Sequence, residues 1–191
     1  MGLFAAENNF NTEILEASKA SGVPVSIIKG FIAAESAFNP KAFKAEPQIQ
    51  DGSYGLMQIL HRTARGMGYQ GPPEGLYEPA QNTRFGALLL RQLFKRFENP
   101  LDAISAYNQG RPRKAAESTA ISKHIYGEPG PDWTYANQPY VDRVASYAAY
   151  YQTFERPDPA RRQIITDAVK KKIFLEARAT YKALLSEALT T

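Results

Sequence analysis

Apolar residues recur at helical spacing along most of this chain, and no stretch shows the strict alternation of a half-buried strand or an Asn-Gly hairpin signal. A first stripe, Ile14, Leu15 and Ala17, follows Asn11, a residue type that caps helix starts, and stops at Gly22. Pro24 suits the first turn of a second helix, because its φ is fixed and it has no N–H to leave unpaired. That helix is predicted to run to about Phe38, where Asn39-Pro40 forbids continuation. Residues 40–53, polar and rich in turn formers, are predicted to be loop, and Met57 to Gly66 a short helix. After a Gly/Pro loop from Gly68 to Gly75, the pattern Phe85, Leu88 or Leu89, Gln92 or Leu93, Phe97 predicts a long amphipathic helix from Pro79 to about Phe97. Pro100 restarts a helix reaching Asn108 or Gln109. The stretch 110–138 fits no periodicity, and long Gly/Pro-containing stretches of this kind often cover a binding site. Val141, Val144, Ala145, Ala148 and Tyr151 then mark a helix over 140–151. Pro157-Asp158-Pro159 reads as a boundary, beyond which Ile165, Val169, Ile173, Ala177, Tyr181, Leu184, Leu185 and Ala188 trace another amphipathic helix. The expectation is a mainly α protein with one domain over 1–155 and a helical tail over 156–191.

Composition narrows the chemistry. The absence of cysteine excludes disulfides, thiol nucleophiles and cysteine-metal sites. His61 and His124 are far apart and start no ligand-spacing motif, so neither a metal nor any other cofactor is expected. The start of the chain lacks the basic segment and apolar core of a secretory signal, and no stretch has the length of a membrane span, which gives the expectation of a chain made in the cytoplasm. The net charge of +4 is uneven: residues 1–155 balance at 15 Lys/Arg against 15 Asp/Glu, whereas 156–191 hold 8 against 4. A basic tail attracts anionic partners or is simply a solvated helix face; without interleaved aromatics or a recognisable module, nucleic-acid binding is not expected.

The informative polar residue is Glu35. Ile28, Phe31 and Ile32 precede it by seven, four and three positions, which puts its side chain on the apolar side of its own helix. A carboxyl so placed is paired, hydrogen-bonded, or kept protonated by a raised pKa, and the last condition makes a general acid at neutral pH.

Glu35-Ser36 is followed by Ser53-Tyr54-Gly55-Leu56-Met57-Gln58-Ile59 and later by Ala106-Tyr107-Asn108. These three blocks, in this order, resemble the soluble lytic transglycosylase domain, a lysozyme-like α fold shared with goose-type lysozymes, over about residues 20–151. The resemblance implies that Glu35 protonates the glycosidic oxygen between N-acetylmuramic acid and N-acetylglucosamine. As a base it then takes the proton of the muramoyl O6 hydroxyl, which closes a 1,6-anhydro ring in place of attack by water. The substrate's acetamido group supplies the help that a second carboxylate gives in ordinary glycosidases.

Supporting roles follow from the same resemblance, each beside a plainer alternative. Ser53 is suited to bond the muramoyl ring or its lactyl group, or to serve as turn chemistry. Gly55 lets backbone approach a sugar closely. Met57 is an apolar wall or core packing, and Gln58 offers amide bonds to a sugar. Tyr107 sets its ring against the sugar and its hydroxyl near Glu35, while Asn108 bonds an N-acetyl group or the protein's own backbone. Tyr140, in Pro139-Tyr140-Val141, lines the cleft opposite Glu35 or belongs to the core.

The chain departs from the family pattern at Glu46-Pro47-Gln48-Ile49-Gln50-Asp51, where a compact Ala/Ser/Gly loop is usual, and at Gln109-Gly110-Arg111, where Ala-Gly is usual. The first departure keeps a rival open, an inverting muramidase using Asp51 or Glu46 as base to hold water. A second rival is a virion or assembly protein that binds glycan without cutting it. The expected partner is peptidoglycan. A phage particle that opens the wall during genome entry is the expected setting, with residues 160–191 binding other virion proteins.

Overall fold

The computed structural model describes residues 6–155. The boundary at 157–159, the division at 155 and the tail helix predicted over 156–191 lie outside the described residues.

Helix α1 spans Asn11–Ser21 and ends on Gly22, whose φ of 75° turns the chain so that its N–H donates to the Ser18 carbonyl at 2.7 Å. Asn11 falls inside the helix and is not its cap, since Phe10 precedes the first turn. Its side chain instead donates to Asn8 Oδ1 at 3.3 Å. Helix α2, Val25–Ser36, is buried at eight successive positions from Ser26 to Ala33. A helix buried on every side is a central helix. It stops two residues short of the predicted Phe38, because Ala37 and Phe38 both adopt left-handed backbone, with φ of 50° and 62°. The buried Phe38 ring packs edge-on to Tyr151, which holds this unfavourable geometry in place.

The segment predicted as loop, together with the start of the helix predicted from Met57, forms a small antiparallel sheet of order β1-β2-β3: Phe43–Glu46, Asp51–Tyr54 and Ile59–Leu60. Phe43 pairs with Tyr54, Glu46 with Asp51, and Ser53 with Leu60. These strands have no buried stripe long enough to read as alternation; β1 is exposed at three of its four positions. The predicted helix at Met57 therefore begins only at His61, as α3 (His61–Gly66).

Helix α4, Pro79–Arg96, opens on proline and buries Phe85, Leu90 and Leu93, while the predicted Gln92 is exposed. Helix α5, Pro100–Gln109, is capped by Asn99, which accepts from the Leu101 N–H at 3.0 Å. The stretch that fitted no periodicity carries a short helix α6, Ala120–Tyr126, capped by Thr119, and folds back on itself through Ala115 N–H to Thr134 carbonyl and Ala136 N–H to Arg113 carbonyl. Helix α7 spans Gln138–Glu155, and all five residues that marked it in the sequence are buried.

The α2–α7 pair is the most extensive contact between elements. A Cβ on Gly30 would come within 2.9 Å of the Ala148 backbone, so glycine permits the close approach. Gly30 meets Ala148 while Glu35 meets Tyr140, which makes the two helices antiparallel and brings the end of α2 to the start of α7.

Candidate active site

Glu35 sits in the last turn of α2, just before the chain turns sharply at Ala37 and Phe38. Its side chain is partly exposed, yet the carboxyl is crowded by protein, and no cation among the described residues lies within salt-bridge distance of it. Loss of hydration penalises the ionised form. That cost outweighs the Tyr140 hydrogen bond and the more distant charges of Arg143 and Lys44, and the pKa rises from 4.5 to about 7. Tyr140, almost wholly buried, donates its hydroxyl to Glu35 Oε1 at 2.5 Å. Burial and the neighbouring Glu35 push the Tyr140 pKa well above its usual value, so this hydroxyl stays a donor. Tyr140 thus supports the carboxyl from within the core.

The Gly55–Gln58 turn is clamped from three sides. Ser36 Oγ donates to the Leu56 carbonyl at 2.7 Å, and the Tyr107 hydroxyl donates to the Met57 carbonyl at 2.8 Å. From the third side, buried Asn82 accepts from the Met57 N–H at 2.7 Å and donates to the carbonyls of Tyr54 and Leu76, both at 2.7 Å. This use of Asn82 explains Gly55. A Cβ there would lie 2.5 Å from the Asn82 amide nitrogen, and the backbone has a φ of 69°, so the protein's own packing requires glycine. Met57 is fully buried, with its sulfur against Gly86. Gln58 Nε2 donates to the carbonyls of Ala42 and Gly55, both at 3.0 Å. Ser53 lies on β2 opposite Lys44, the lysine whose charge reaches Glu35. The ring of Tyr107 packs on Phe31, with centroids 4.7 Å apart, and burial and Glu35 raise its pKa well above 10.

Asn108, at the exposed end of α5, accepts from the Tyr126 hydroxyl at 2.8 Å and from Asn137 Nδ2 at 3.1 Å. Sequence reasoning missed Asn82, Tyr126 and Asn137. For Asn82 a signal was present, a polar amide three residues before Phe85 on an apolar stripe; for the other two there was none.

The two carboxylates of the rival reading are engaged locally. Asp51 accepts from the Gly52 N–H at 2.7 Å and, through its other oxygen, from the Arg62 N–H at 3.0 Å at the start of α3. Glu46 pairs with Lys44 at 2.7 Å and accepts from Gln48 at 2.9 Å. Among the described residues no three His, Asp or Glu side chains converge as a metal site would require, and no helix is long and apolar enough to cross a membrane. An open cavity of about 480 Å³ lined by Tyr69, Gln70, Glu78 and Arg84 contains none of the residues around Glu35.

Residues 12–125 match the family model described as the transglycosylase SLT domain, more than half of the chain. The chain belongs to the SLT domain family. Similar proteins include the membrane-bound lytic murein transglycosylases C of Glaesserella parasuis, 35% identical over 112 residues, and of Actinobacillus pleuropneumoniae, 36% identical over 108. These matches take in 51% and 49% of this chain but only 29% and 28% of those proteins, so the SLT chain spans less than a third of the relatives' length. Among solved structures, an inactive Glu-to-Gln mutant of the lytic transglycosylase Slt from Pseudomonas aeruginosa is similar at a TM-score of 0.57 and 28% identity, over 78% of this chain and 25% of that one. The 70-kDa soluble lytic transglycosylase of Escherichia coli gives a TM-score of 0.57 at 25% identity, over the same shares of the two chains. The mainly helical, lysozyme-like architecture of the SLT domain is thus shared with enzymes of that name.

Proposed function

We propose that this SLT domain is a peptidoglycan lytic transglycosylase in which Glu35 is both acid and base. The observation that carries the reading is a carboxyl with a pKa of about 7, partly exposed and hydrogen-bonded to a tyrosine that keeps its proton. Near neutral pH such a group is populated in both forms. Protonated, Glu35 gives its proton to the glycosidic oxygen as the bond from the muramoyl C1 breaks, and N-acetylglucosamine leaves with a hydroxyl. The substrate's acetamido oxygen holds the positive charge at C1 meanwhile. Ionised, Glu35 takes the proton of the muramoyl O6 hydroxyl as O6 bonds to C1, and the acetamido group is released. No water is consumed, and the acid is regenerated. The Tyr140 hydrogen bond is stronger to the carboxylate than to the acid, so it favours the intermediate stage. The names of the relatives, which include lytic murein transglycosylases and an inactive Glu-to-Gln mutant, support the same chemistry.

A hydrolase with a second carboxylate as base is less well supported, because Asp51 and Glu46 are both held by local hydrogen bonds. A glycan-binding protein without activity gives no reason for a dehydrated carboxyl at the end of α2. The test is mass spectrometry of muropeptides released from purified peptidoglycan: 1,6-anhydromuramoyl ends are expected, and hydrated reducing ends would contradict the proposal. Delivery by a phage particle is the setting attached to this activity, on the strength of the apolar stripe and excess positive charge in the C-terminal sequence, which suit an assembly handle. Deleting residues 160–191 is then expected to abolish virion incorporation while leaving cleavage intact.

A further inference from the structure

An amide side chain has one end that accepts and one that donates, and which end faces the substrate depends on what holds the other. For Asn108 the answer starts at a group whose polarity is fixed. The backbone carbonyl of Ser105 can only accept, and the buried Asn137 donates to it through Nδ2 at 3.3 Å. The Ser105 hydroxyl donates to Asn137 Oδ1 at 2.9 Å, which closes a reciprocal pair and locks the Asn137 amide. The second Nδ2 hydrogen of Asn137 must therefore meet an acceptor, and it meets Asn108 Oδ1 at 3.1 Å. Tyr126, arriving on α6, also donates to Asn108 Oδ1 at 2.8 Å. With its oxygen taken twice, Asn108 is left with an Nδ2 that makes no hydrogen bond to the described residues, on an exposed side chain.

We infer that Asn137 and Tyr126 are positioning residues that turn the Asn108 amide so that it offers only N–H donors to the glycan, selecting an N-acetylated sugar over one with a free amine. The acyl carbonyl of an N-acetyl group accepts such a donor. An ammonium meets donor against donor, and the mismatch leaves both groups unpaired. The inference rests on the proposed reading that glycan lies beside Glu35. Asn108 belongs to the surroundings of that carboxyl, since it follows Tyr107, whose hydroxyl holds the Met57 carbonyl of the turn that Ser36, the residue after Glu35, also clamps. The Glu35 charge also reaches the Tyr126 hydroxyl.

The decisive variant is Asn108→Asp. One carboxylate oxygen keeps both inward hydrogen bonds, from Asn137 and Tyr126, while the other faces outward as an acceptor, so the fold is retained and only the outward polarity reverses. Binding is measured in the Glu35→Gln background, where turnover and acetamido assistance do not enter, using glycan fragments that are fully N-acetylated or have been de-N-acetylated. The Glu35→Gln protein is expected to prefer the acetylated fragment by about tenfold, and adding Asn108→Asp to reverse the preference. Adding Tyr126→Phe is expected to weaken acetylated-fragment binding about threefold with little change for the other fragment, because one of the two locks is lost. An unchanged ratio in Asn108→Asp, or equal losses on both fragments in Tyr126→Phe, would overturn the inference. Failure of the parent protein to release anhydromuramoyl products overturns the proposed function instead, which keeps the two claims separable.

Discussion

The acidic residues Asp51, Glu46 and Glu35 stand on two elements, the sheet and the end of α2, and the two treat a carboxyl differently. On the sheet, Asp51 and Glu46 stand beside N–H groups, an amide and a lysine close by in sequence or space, and each accepts from them. At the junction of α2 and α7, Glu35 has one neutral hydroxyl as its direct partner among the described residues, and loss of hydration raises its pKa to about 7. The same group is a structural acceptor on the sheet and, in the proposed mechanism, the proton carrier at the end of α2. The neighbours decide which.

The strongest way to break this comparison is Glu35→Gln, which is expected to lower turnover by about 10²–10⁴-fold in a muropeptide-release assay while the fold persists. The same variant tests the cost of dehydration. The folded-state pKa of Glu35 lies above the unfolded value, so the folded chain holds an extra proton between about pH 4.5 and 7 and loses stability as pH rises through that window. Glu35→Gln lacks this loss, and above pH 7 it is expected to be the more stable protein by on the order of 2–3 kcal/mol, with little difference at about pH 4. Denaturant unfolding at the two pH values checks it. Next in size, Asn82→Ala leaves Met57 N–H and the Tyr54 and Leu76 carbonyls without their partner, and is expected to cost about 2–4 kcal/mol in the same unfolding assay. Tyr140→Phe removes a bond that favours the ionised carboxyl, so the Glu35 pKa rises further and the high-pH limb of the rate profile moves up. Turnover near neutral pH is expected to fall about tenfold because the ionised carboxyl of the intermediate stage loses its stabilising donor. The smallest effect belongs to the sheet side: Asp51→Ala is expected to cost about 1 kcal/mol of stability through loss of the acceptor at the start of α3, with turnover changed less than about twofold.

How much of this was legible in the sequence follows the same division. The long helices and the placement of Glu35 were readable because they rest on periodicity, unlike the short α6: Ile28, Phe31 and Ile32 define the apolar side of α2, and the five marked positions of α7 are buried as expected. The sheet was not readable, because strands of two to four residues, β1 mostly exposed, carry no alternation, and their register depends on left-handed Gln50 and on a distant asparagine. At Gly55 the close approach is made by Asn82 and the Leu76 carbonyl, neither of which a local pattern points to. Likewise the Tyr107 hydroxyl serves the Met57 carbonyl. Asn82 and Asn137 act on backbone or side-chain groups from 6 to 32 positions away, and no local pattern announces a partner at such separations.

The proposed chemistry depends on one carboxyl being half protonated near neutrality. A carbon-13 NMR titration of the Glu35 side chain, assigned by comparison with Glu35→Gln, reads that state directly. A midpoint near 7 is the predicted result; a midpoint near the ordinary 4.5 would mean that Glu35 is hydrated, already ionised, and unable to act as the acid.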